Sequence, residues 1–141
     1  MRATRKRPGR WQRLVNSVLD ASALLAVVLQ EVGEDRVNDA IDDGAVILSV
    51  NLAEVVTKLH EKGMTEARIR AILSTLRAPV MQFDEELAYR AGLLRSATRS
   101  AGLSLGDRAC LAVAERLGVP ALTADRVWGT LQIGIPVEVI R

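Results

Sequence analysis

Short apolar runs that stop at a polar residue and pass straight into a helical pattern recur along this chain. That alternation restricts its fold more than any other feature. Residues 15–19 (VNSVL) read as a buried strand that ends at Asp20, and residues 21–30 continue with alanine and leucine at helical density. A second helix is predicted over 34–42, with Val37, Ala40 and Ile41 on one face and Gly44 as its stop signal; residues 45–49 (AVILS) form the next strand. Helices over 52–62, closed by Gly63, and over 65–77, with Ile69, Ile72, Leu73 and Leu76 at helical spacing, make an antiparallel pair. Pro79 opens a third strand, 79–83, and Asp84 caps a helix running to Gly102. Ser104 starts a helix that ends at Gly118. Residues 120–123 are a fourth strand, 125–131 a short helix and 137–140 a final strand. The pattern predicts an α/β fold: a central parallel sheet of about five strands with helices on both faces.

At 141 residues the chain has the length of one ordinary domain. Its charge is uneven. Arg2, Arg5, Lys6, Arg7, Arg10 and Arg13 stand without an acid among the first thirteen residues, which leaves thirteen bases against seventeen acids for the rest. The expected organisation is a basic, disordered arm over residues 1–14 and a mildly acidic domain over 15–141. The arm followed by LVNSVLDASA imitates a secretion signal, but the apolar stretch is too short and Asp20 interrupts it. No run approaches the roughly 18 apolar residues of a membrane span. Cys110 is the single cysteine and His60 the single histidine, which excludes an internal disulfide and a thiolate metal cage and fits a reducing cytoplasm.

Four acids lie near the edge where strands of such a sheet feed their helices, the edge at which ligands bind. Asp20 ends the first strand, Glu54 lies early in the helix after the second, Asp107 is in the first turn of the helix from Ser104, and Asp125 follows the fourth strand. Each has an ordinary explanation as a helix start. Asp20 and Asp125 suit N-caps, while N-L-A-E at 51–54 and S-L-G-D at 104–107 fit capping boxes; Asp84 caps after the third strand. Jointly the caps are less comfortable, because carboxylates about 5 Å apart repel by about 3 kcal/mol at an effective dielectric of 20. A cation would relieve such a cluster. With no histidine or cysteine the donors are all oxygen, which suits magnesium or manganese rather than zinc.

Other α/β chemistries lack their motifs. No G-x-x-x-x-G-K or G-x-G-x-x-G is present. Ser22 stands where a haloacid-dehalogenase phosphatase needs its second aspartate, and the aspartate and lysine pattern of a receiver domain is missing.

V-L-D-A-S-A-L-L-A at 18–26, N-L-A-E-V-V at 51–56, L-S-L-G-D-R-A-C-L-A at 103–112 and L-T-A-D-R-V-W at 122–128 together resemble the PIN domain, specifically VapC-type endoribonuclease toxins of type II toxin–antitoxin systems. The resemblance spans residues 15–141 in order. It implies a PIN-like fold and a magnesium-dependent ribonuclease with Asp20, Glu54, Asp107 and Asp125 as its acidic pocket, Asp20 and Asp107 being the leading metal ligands. Ser22 and Thr123 match hydroxyl positions beside the acids, and Asn51 suits either a role in orienting metal-bound water or an N-cap. The resemblance further implies a cognate VapB-type antitoxin, a homodimer, and contact with DNA only through the antitoxin complex. A groove near the helical pair 52–77 would accept the antitoxin. A PIN nuclease for RNA processing and a non-catalytic module that keeps the acids as caps are the alternatives.

An acidic pocket must still attract a polyanion. Arginine outnumbers lysine sixteen to three, and Arg108 and Arg126, adjoining two of the acids, are the candidate RNA contacts. With aromatic residues at 3%, base stacking cannot dominate binding.

Overall fold

A computed structural model describes residues 14–141 of the chain; the predicted basic arm, but for Leu14, lies outside the described residues. In chain order the elements are β1 (Ser17–Leu19), α1 (Ala21–Val28), α2 (Glu34–Asp42), β2 (Ala45–Leu48), α3 (Ser49–Glu61), α4 (Glu66–Ser74) and β3 (Val80–Met81). There follow α5 (Glu85–Leu93), α6 (Arg95–Thr98), a 3-10 turn (Arg99–Ala101), α7 (Leu105–Leu117), β4 (Ala121–Thr123), a 3-10 helix (Arg126–Thr130) and β5 (Val137–Val139).

The strands form one sheet in the order β3-β2-β1-β4-β5, and every pair is parallel. Successive side chains of a strand point to opposite faces. Accordingly Val18, Val46, Leu48 and Ala121 pack on one side with α5, α7 and Trp128. Leu19, Ala45, Ile47 and Leu122 pack on the other with α1, α2, α3 and α4. Both faces are covered, which explains why the strands read as continuous apolar runs instead of alternating ones. Each fully buried leucine among them, Leu19 and Leu122 included, contributes roughly 1.5–3 kcal/mol by burial.

Two predicted helices differ in the structure. The helix expected from Asp84 to Gly102 is broken after Leu93 into α5, α6 and the 3-10 turn. The buried Thr98 returns its hydroxyl to the Leu94 carbonyl at 2.8 Å, a back-bond that bends helices. The second difference bears on the site: α3 begins at Ser49, three residues before the predicted start, with Leu48 at its N-cap and no side-chain cap. Asn51 is therefore inside the helix, and N-L-A-E is not a capping box. The other caps form as predicted: Asp20, Asp84 and Asp125 accept from Ala23, Leu87 and Val127 amides, and Ser104 with Asp107 closes a full capping box.

Among the described residues no helix is long and apolar enough to cross a membrane. His60 is exposed and its Nδ1 pairs with the Met64 carbonyl at 3.1 Å. A cavity of about 760 Å³ opens beside the α3–α4 pair and β3, lined by apolar side chains such as Leu52, Val56, Ile69 and Leu73.

Candidate active site

The chain runs from β1 outward to β2 and β3, then returns to place β4 on the other side of β1. The C-terminal ends of β1 and β4 thus meet where the strand order reverses, the place where open α/β sheets bind ligands. Asp20 follows β1 directly and is 4% exposed. Its Oδ1 accepts from the Ser22 hydroxyl at 2.7 Å and the Ala23 amide at 2.8 Å. Its Oδ2 accepts from the Thr123 hydroxyl, at the end of β4, at 2.5 Å. Ser22 and Thr123 in turn receive the Ala124 and Asp125 amides at 2.8 and 3.0 Å, so the two strand ends are laced together through hydroxyls.

On the opposite wall α3 and α7 meet at their first turns. The Asn51 amide donates from Nδ2 to Glu54 Oε1 and to the Gly106 carbonyl, both at 3.0 Å. Asp107 Oδ2 accepts from the Ser104 amide at 2.9 Å. Gly106 leaves room for Glu54, because a Cβ there would stand 2.4 Å from Glu54 Oε1.

Asp20, Glu54, Asp107 and Asp125 all line one cavity of about 610 Å³. Along α3 its wall is built by Val50, Ala53, Glu54, Thr57, Lys58 and Glu61, one helical face at i, i+3, i+4, i+7 spacing. Lys58 is the one basic lining residue among the described residues, and sequence reasoning missed it. Its position one turn after Glu54 was the available signal. The two predicted arginine contacts do not line the cavity: Arg108 Nη1 donates to the Ala91 carbonyl at 2.9 Å, and Arg126 Nε reaches the Arg141 carbonyl at 3.4 Å.

Burial falls unevenly on the four acids: Asp20 is buried, Glu54 and Asp107 are half-buried and Asp125 is exposed. Burial raises the Asp20 carboxyl from 3.8 to about 6, opposed by its bonds from Thr123, Ser22 and Ala23 and assisted by the charge of Asp107. Glu54 is raised by burial and by Asp107, against the Asn51 hydrogen bond. The thiol of Cys110, buried in α7, is pushed well above its ordinary value by burial and then by the charges of Asp20, Asp107 and Glu54. Three carboxylates therefore act on one point of the core. Asp84 differs: it caps α5 outside the cavity, and the Arg116 guanidinium holds it at about 2.

Capping leaves part of each carboxylate unengaged. Among the described residues, Glu54 is tethered through Oε1, Asp107 through Oδ2 and Asp125 through Oδ1, and the second oxygen of each makes no hydrogen bond. Asp20 accepts three bonds where a carboxylate offers about four lone-pair sites. Among the described residues no group of three or more His, Cys, Asp or Glu side chains stands close enough together to hold a metal ion by itself. Such an open set of oxygen donors suits a hard cation that keeps most of its water and takes one or two carboxylates, as magnesium does, and is unlike a zinc cage.

The PIN domain family model matches residues 17–132, which include all four acids. The chain belongs to the PIN domain family. PIN domains are generally nucleases. Solved structures share the fold of this PIN domain. A chain in the crystal structure of VapBC2 from Rickettsia felis bound to a DNA fragment from its promoter superposes with a TM-score of 0.69 at 14% identity, covering 86% of this chain and 96% of that one. DNA-bound VapBC from Salmonella typhimurium gives 0.69 at 19% identity, covering 88% and 97%. VapBC-5 from Mycobacterium tuberculosis, of the VapBC family of toxin–antitoxin systems, gives 0.57 at 25% identity, covering 90% and 98%. No curated protein sequence matches the chain.

Proposed function

We propose that this PIN domain is a divalent-metal-dependent endoribonuclease and the toxin of a VapC-type toxin–antitoxin pair. The observation that carries the reading is the placing of Asp20, Glu54, Asp107 and Asp125, from four separate segments, around one cavity at the sheet's switch point. Asp20 and Asp107 are the leading residues to hold magnesium or manganese, with Glu54 and Asp125 completing the set. When bound, the cation lowers the pKa of water and neutralises charge on the phosphodiester.

The chain's own groups divide the remaining work. Ser22 and Thr123 keep Asp20 oriented with its remaining acceptor site open. Asp125 Oδ2, which accepts no hydrogen bond among the described residues, is the oxygen able to take a proton from the attacking water. Lys58 offers a cation to a substrate phosphate across an otherwise acidic wall. Water attacks phosphorus in line as its proton passes to Asp125, the P–O3′ bond breaks, and the departing 3′-oxygen takes a proton from solvent, which gives a 5′-phosphate and a 3′-hydroxyl.

A VapB-type antitoxin is the expected partner, its segment seated near the α3–α4 pair, and the toxin itself acts as a homodimer in the cytoplasm, meeting DNA only through the antitoxin complex. The similarity to chains from VapBC structures supports this part of the reading. Purified protein should cleave RNA with magnesium, and Asp20→Ala or Asp107→Asn should not; equal cleavage by these variants would remove the assigned site. Expression with and without the antitoxin, followed by mapping of cleaved RNA ends, tests the toxin role.

A further inference from the structure

The contact between α3 and α7 carries more than packing. Asn51 is 1% exposed, and both bonds from its Nδ2 go to groups that only accept, Glu54 Oε1 and the Gly106 carbonyl. That fixes the amide's orientation and leaves Oδ1 buried with no partner among the described residues. An unpaired buried acceptor is destabilising, so the amide is not there for stability alone. Gly106, the second residue of α7, is also the less favourable choice locally, since alanine is the better helix former. A Cβ at Gly106 would meet Glu54 at 2.4 Å from Oε1, 2.6 Å from Cδ and 2.7 Å from Oε2. The three nearest atoms all belong to the end of the Glu54 side chain, so an added methyl would displace that carboxylate.

We propose that Asn51 and Gly106 are a positioning pair that lays the Glu54 carboxylate on the first turn of α7 beside Asp107, with Oε2 left free, and so sets the cavity's affinity for a divalent cation. This rests on reading the cavity as a cation site. Neither residue touches the cation; both act through Glu54.

The test is titration calorimetry with Mn²⁺ alone, together with thermal melts, on the unsubstituted protein, Gly106→Ala, Asn51→Ala, Glu54→Ala and the double variants with Glu54→Ala. Gly106→Ala and Asn51→Ala should each weaken Mn²⁺ binding by about tenfold, the usual scale for a group that orients a ligand. In the Glu54→Ala background neither should weaken it further, and Gly106→Ala should there raise the melting temperature, as alanine in a helix does. A purely structural role would give the same loss in both backgrounds and would overturn the inference. So would unchanged binding by Gly106→Ala while Glu54→Ala is weakened, or unchanged binding by Glu54→Ala itself; in either case the cation site stands. Failure of the unsubstituted protein to bind Mn²⁺ would overturn the cation-site reading and this inference together.

Discussion

Thr123 at the end of β4 donates its hydroxyl to Asp20 Oδ2 at 2.5 Å, a bond that joins two strand ends 103 residues apart in sequence. It stabilises the ionised form of a carboxylate that burial disfavours. Thr123→Val keeps the shape and removes the donor. The expected loss is about 2 kcal/mol of stability at pH 8, the scale of a hydrogen bond to a charged group. The loss should shrink at pH 4.5, where Asp20 is protonated. Urea denaturation at the two pH values checks this, and a pH-independent loss would contradict it.

Asp20 itself is a strained charge in the cation-free protein. Its folded pKa of about 6 lies above the reference value of 3.8, so the folded state holds this proton more tightly than the unfolded chain. The associated stability is full below 3.8 and is lost as pH rises through 6. Above that pH the penalty is at most about 3 kcal/mol. Asp20→Asn should therefore melt higher than the unsubstituted protein in EDTA at pH 8, with the gap closing toward pH 4, while RNA cleavage is abolished.

The opposite sign applies to Asp84, held at about 2 by Arg116. Its contribution is present above 3.8 and is lost as pH falls through about 2. Asp84→Asn should lower the melting temperature at pH 7 and converge on the unsubstituted protein near pH 2. Because Asp84 is outside the cavity, RNA cleavage at 25 °C should remain within about twofold of normal. A large drop in cleavage would extend the site beyond its present residues.

Lys58 is the basic wall of the cavity. Lys58→Ala should weaken RNA binding, seen as a raised KM. It should also flatten the dependence of log affinity on log salt by about 0.7, the release expected for one phosphate contact on a single strand. Mn²⁺ affinity should not fall. Loss of cation binding in this variant would mean that Lys58 supports the acids and not the substrate.

The alternation of apolar runs with helical patterns was enough to give five parallel strands and two helical layers, because sheet faces and helix stripes leave a local periodicity in the sequence. The caps at Asp20, Asp84, Ser104 and Asp125 were legible for the same reason: a cap acts on residues two or three positions away. The start of α3 was not, and so the sequence reads Asn51 as an N-cap where the structure has it within the first turn of the helix. There its amide bonds to the Gly106 carbonyl, fifty-five residues later. The inward turn of Arg108 toward the Ala91 carbonyl, seventeen residues earlier, was hidden likewise.

Taken alone, the sequence determined the α/β class, the order of its elements, and four acids each placed at or near a helix start. Whether those acids are separate caps or one site was a question of distance between segments, and no local pattern contains it. Folding set β1 beside β4 and α3 against α7, so that all four carboxylates line one cavity while each still makes its local hydrogen bonds. The same packing put Lys58 in that cavity and took Arg108 and Arg126 out of it, because a side chain's direction depends on which neighbours its helix meets.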